Sequence, residues 1–98
     1  MTIVWSPRGQ RRLAEYARSI AEYDYPQTAH DWLMDMRTAV EHLADFPLSG
    51  REVPEFQESN VREIVHRGYR IFYRIRAKRC EIISVRHSRF QIRSIQSL

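Results

Sequence analysis

The sequence predicts an α+β fold: a short N-terminal strand, a two-helix antiparallel hairpin, and a three-stranded antiparallel meander with the helices on one sheet face. Three observations predict it. Apolar residues recur at helical spacing in two adjoining stretches of the first half. Three β-prone stretches, VREIVHR, YRIFYRIR and CEIISVRH, follow with only short turn-like pieces between them. The aperiodic stretch PLSGREVPEFQESN separates the two halves.

Each element has its own signal. TIVW is a β-prone run, ended by Ser6-Pro7. Ser6 is a good N-cap, and Pro7 suits the first helical position. Leu13, Tyr16, Ala17, Ile20 and Ala21 then mark one helix face through about residue 24. DYPQ breaks the pattern, and Pro26 opens a second helix whose stripe is Ala29, Trp32, Leu33, Met36, Val40 and Leu43. The short break between similar stripes reads as a helical hairpin. After the loop, Gly68 and AKR are the turns of the meander. The tail, residues 88–98, reads as a short helix or a flexible end. Its Phe90, Ile92, Ile95 and Leu98 would leave a small apolar stripe for a partner.

Length bounds the organisation. Ninety-eight residues suit one domain, 1–98, with one modest core. No apolar run approaches the ~20 residues of a membrane span. The start MTIVWSPRGQRR lacks a secretory pattern, so a cytoplasmic protein with no membrane partner is expected. Cys80 stands alone, and no second Cys or clustered His offers a zinc pattern. No metal and no cofactor are expected.

Charge is unevenly spread. Residues 1–49 carry five Arg against seven acids, a net −2, whereas residues 50–98 carry ten Arg and one Lys against five acids, a net +6. Arginine's planar fork suits bidentate contacts to carboxylate or phosphate. In RGYRIFYRIR, Tyr69, Ile71, Tyr73 and Ile75 alternate with Arg70, Phe72, Arg74 and Arg76, giving an apolar face backed by a mostly cationic one. On the next strand Ile83 and Val85 alternate with Ile82, Ser84 and Arg86. A cluster of Arg70, Arg86, His87 and Arg89 follows, joined by Arg62 or Glu63, and it could hold phosphates. The alternative is a solvated face, which suits Arg74 and Arg76 better than Arg70. Among three Arg, His87 would favour its neutral form, as a general base or a plain hydrogen-bonding partner.

The pieces PRGQRRLAEYARSIAEYD, LADFPLSGREVPEF, NVREIVHRGYRIFYRI and EIISVRHSR resemble, in order and spacing, the RelE/ParE superfamily of toxins from type II toxin–antitoxin modules. The match runs over nearly the whole chain, and FPxxGRxVPE, VREIV…GYRIFYRI and VRHSR are its most specific parts. The resemblance implies a small cytoplasmic toxin in a hetero-oligomer with a cognate antitoxin, whose acidic C-terminal segment wraps it.

Two branches differ in target. RelE-like and YoeB-like members cut mRNA on the ribosome, so the protein must supply a base, an acid and cations for the phosphate. On that resemblance Arg70 matches the arginine at the scissile phosphate, His87 a basic strand position, and Glu63 a strand glutamate. Arg62, Arg86 and Arg89 would add phosphate or partner contacts. The strand lysines of that branch are missing, since Lys78 is the only lysine, and no Tyr follows Tyr73; Phe90 cannot transfer a proton. ParE-like members lack a complete nuclease set and poison DNA gyrase by protein contact. The helical hairpin, the FPxxGR loop and the RIFYRI strand look more like that branch, with ribosome-dependent mRNA cleavage as the alternative.

Overall fold

Ser6 starts the first helix as its position suggests. Its backbone is extended, and its Oγ accepts from the Gly9 N–H at 2.9 Å, satisfying a donor that a helix start leaves free. The computed structural model describes residues 1–56 and 60–98. It places strand β1 at Thr2–Trp5, helix α1 at Pro7–Tyr23 and helix α2 at Pro26–Glu41. A 3₁₀ turn at His42–Ala44 closes the hairpin. Strands β2 (Arg51–Glu52), β3 (Val61–His66), β4 (Tyr69–Arg76) and β5 (Arg79–His87) follow, then a 3₁₀ turn at Ile95–Ser97.

The strands form one five-stranded sheet in the order β1-β5-β4-β3-β2. The meander β3-β4-β5 is antiparallel as expected, and β1 joins it in parallel beside β5, from Thr2 opposite Arg79 to Trp5 opposite Ile82. The short β2 was hidden in the aperiodic loop, where Arg51 pairs with Glu63 and Glu52 with Arg62. Residues 57–59 of that loop lie outside the described residues.

Both helices cover one sheet face. Leu13, Trp32, Met36, Val40 and Leu43 pack there against Ile71, Tyr73, Cys80, Ile82 and Val85. Each large side chain taken fully from water contributes about 1.5–3 kcal/mol, so this face carries most of the hydrophobic stabilisation. Gly9 lets α1 approach closely, since a Cβ there would sit 2.6 Å from the Ile82 carbonyl oxygen.

Two readings of the opposite face are corrected. Strict alternation along β5 fails because the register shifts at Phe72/Tyr73: Phe72 opposes Ser84, Tyr73 opposes Ile82, and Ile83 is the extra residue. Ile82 and Val85 therefore share the helix side, while Ile83 packs on the other. The tail stripe is not left exposed. Ile92 and Leu98 are buried with Val53, Val61 and Phe72 in a second, smaller core, with Phe90 and Ile95 packed against it. The Leu98 main-chain oxygen accepts from Ser84 Oγ at 2.9 Å and from Arg12 Nε at 3.2 Å, tying the tail to β5 and α1. Among the described residues no helix is long and apolar enough to cross a membrane.

Candidate functional site

Arg70 lies on β4 in register with Val65 of β3 and Arg86 of β5, on the face turned away from the helices. Alternation along β3 brings Glu63, opposite Phe72, to the same face. A buried guanidinium needs counter-charge, and two carboxylates supply it. Arg70 Nε donates to both Glu63 oxygens at 2.6 and 3.1 Å, and Nη2 to Glu63 Oε2 at 2.6 Å. Nη1 and Nη2 each donate to one oxygen of Glu55 at 2.7 Å, a bidentate fork. Arg51 stands 3.7 Å from Glu63 on the exposed side. Every guanidinium nitrogen is thus engaged.

The electrostatics follow. Hydrogen bonds donated to Glu55 and then to Glu63 keep Arg70 firmly charged against the opposing effect of burial. The Arg70 hydrogen bond holds the Glu55 carboxyl below the usual carboxylate range, outweighing its partial desolvation. A phosphate could reach this guanidinium only by displacing a carboxylate.

His87 stands apart from this set. It opposes Tyr69 in the β4–β5 ladder and so faces the helices. Its ring meets Tyr69 edge-on at 5.1 Å, and Tyr69 in turn meets Tyr16 and Trp32 at 5.2 and 5.0 Å. Its main-chain N–H donates to Tyr16 Oη at 2.9 Å, and its Nδ1 accepts from the Arg89 N–H at 3.1 Å. With Nδ1 accepting, a neutral ring carries its proton on Nε2. Burial pushes the Tyr69 phenol up, with Tyr16 adding to the effect, so it stays protonated.

The other expected site residues are dispersed. Arg62 opposes Tyr73 on the helix side and donates to the Gly50 carbonyl at 2.7 Å. Arg86 shares the Arg70 face, lies over the Phe90 ring at 3.9 Å and donates to the Ser97 carbonyl at 3.0 Å. Arg89 is exposed in the turn after β5. The structure therefore gathers Arg70, Glu63 and Arg86 on one face and sets His87 and Arg62 toward the other. Sequence reading missed Glu55, whose signal was the VPE of the loop, 15 positions before Arg70.

Two clefts among the described residues lie away from this set. One, of about 420 Å³, lies between α1, α2 and β1 and is lined by Trp5, Leu13, Leu33 and Arg37. The other, of about 630 Å³, lies by the β3–β4 turn and is lined by Trp32, Asp31, Asp35 and Arg67. Asp35 there receives His66 Nε2 at 2.9 Å and also pairs with Arg67. Among the described residues no group of three or more His, Cys, Asp or Glu side chains is placed to hold a metal ion.

Comparison with known proteins bears on this arrangement. The family model described as the ParE toxin of the type II toxin–antitoxin system, parDE, matches residues 3–92. A solved structure, the chromosomal ParDE toxin–antitoxin system from P. aeruginosa, has the same fold: TM-score 0.77 at 18% identity, covering 89% of this chain and 95% of that chain. No curated protein sequence matches the chain.

Proposed function

This chain belongs to the ParE toxin family of type II toxin–antitoxin systems, and from that premise we propose that it acts by protein contact, on DNA gyrase, rather than by cutting RNA. One observation carries the reading. Arg70 is saturated by Glu63 and Glu55, while His87 faces the opposite side of the sheet. RNA cleavage through the 2′-hydroxyl needs a base, an acid and a free cation converging within hydrogen-bond reach of one phosphate. Here the cation is occupied and the histidine is elsewhere, so the residues shared with the ribonuclease branch serve structure. Arg70 becomes the tie between β4, β3 and the VPE loop. A cognate antitoxin completes the assignment. Its acidic segment would meet the basic half of the chain, where Arg76, Arg79 and Arg89 are exposed.

The test is a supercoiling assay with purified, antitoxin-free protein. The expected result is loss of gyrase supercoiling with accumulation of cleaved DNA–gyrase complexes. Normal supercoiling at saturating protein overturns the reading. Cleavage of mRNA on ribosomes that disappears in a folded His87→Ala variant would favour the ribonuclease alternative.

A further inference from the structure

The tip of the helical hairpin exposes side chains that the fold does not use. Tyr23 is 90% exposed and Tyr25 is 74% exposed, and neither ring belongs to either core. Their backbone is held all the same. The Asp24 N–H donates to the Ile20 carbonyl at 2.8 Å, the Tyr25 N–H to Asp24 Oδ1 at 2.9 Å, and the Tyr25 carbonyl accepts from Thr28 and Ala29 at 3.0 and 3.3 Å. Pro26 sets its own φ directly afterwards. Aromatic side chains with two rotatable bonds, on a turn already ordered, lose little entropy on binding. Tyrosine is also among the residues that dominate interface energies.

The charge around them selects the partner. Glu22 and Asp24 are exposed beside the tyrosines. Neither Glu22 nor Asp24 takes part in an ion pair among the described residues. An acidic rim repels nucleic-acid phosphates and attracts Arg and Lys, which can also lie over tyrosine faces. We infer that Glu22, Tyr23, Asp24 and Tyr25 form the contact by which this toxin grips a cationic patch on its protein target. The basic half of the chain is thereby left to an acidic antitoxin. The inference rests on the protein-contact reading above and adds to it the place and the chemistry of the grip.

The experiment compares wild type with Tyr23→Ser/Tyr25→Ser, Tyr23→Phe/Tyr25→Phe and Glu22→Lys, all with exposed changes and each checked by thermal melting. Gyrase inhibition and growth arrest in cells are measured for each. Loss of at least tenfold in inhibitory potency for the serine pair and for Glu22→Lys, with the phenylalanine pair close to wild type, supports the inference. Wild-type potency in the serine pair overturns it. If the wild type leaves gyrase untouched, the gyrase reading alone fails, and growth arrest decides the tip. Arrest lost in the serine pair supports the grip, and arrest retained overturns it. A wild type that arrests no cells overturns both.

Discussion

The two faces of the sheet are built from alternate residues of the same strands, yet they are stabilised differently. Toward the helices, Ile71 and Tyr73 of β4 meet Met36, Val40 and Leu43, and area removed from water does the stabilising. Away from them, Phe72 joins a small apolar core while Arg70 is held between two carboxylates. A buried ion pair adds little over an apolar replacement, but it is costly to half-remove. The difference teaches which side tolerates change: the helix face degrades by volume, the other face by charge imbalance.

The largest expected effect would break the charged side. Among the described residues, Arg70→Ala leaves the buried Glu63 with the 3.7 Å Arg51 contact as its remaining ion pair. It should cost about 3–5 kcal/mol in urea unfolding. Adding Glu63→Leu should recover a large part of that loss; a double variant as unstable as the single one would show that charge balance is not what matters.

Next comes a paired volume test of the two cores. Ile71→Ala, under the helices, should cost about 2–5 kcal/mol, and Ile92→Ala should fall at the low end, since residues 88–94 follow β5 without joining a strand ladder and can settle into the space. Equal losses would mean that the tail is packed as rigidly as the hairpin.

Gly50→Ala probes the join between the faces. A Cβ there would collide with Tyr73 Oη and stand 2.6 Å from the Glu63 carbonyl oxygen. The Gly50 N–H donates to Tyr73 Oη at 2.9 Å, and that hydroxyl donates to the Pro47 carbonyl at 2.8 Å. Overpacking should cost about 1–3 kcal/mol and lower the melting temperature accordingly.

Two smaller effects separate the faces by chemistry. Because the folded Glu55 carboxyl is held low, its contribution is complete above the unfolded glutamate value near 4.3 and is lost as pH falls through the lower folded value. Urea midpoints taken from about pH 6 to about pH 3 should therefore fall more steeply in wild type than in Glu55→Gln. On the helix side, burial pushes the Cys80 thiol up to about 11. Native protein should resist alkylation at mildly alkaline pH, and unfolded protein should react fast.

Much of the fold was legible because local signals were strong. Ser6-Pro7, Pro26 and the two apolar stripes marked the hairpin, and the β-prone triplet marked the meander. What escaped has physical reasons. A two-residue strand such as Arg51–Glu52 shows no periodicity. The bulge at Ile83 changes phase within one strand, so alternation misassigns Ile82. The tail's apolar residues showed that something covers them, without showing that the chain's own sheet does. At the candidate site, Arg70 stood out from the sequence, but its partner Glu55 comes from the aperiodic loop, where no spacing rule connects them.

The parallel pairing of β1 with β5 has a consequence for the order of folding. Thr2 meets Arg79 and Trp5 meets Ile82, so this edge of the sheet joins two stretches far apart along the chain. Contacts between such distant positions form late and slowly. A strand that pairs this late leaves the free edge of β5 open to other chains while the meander forms.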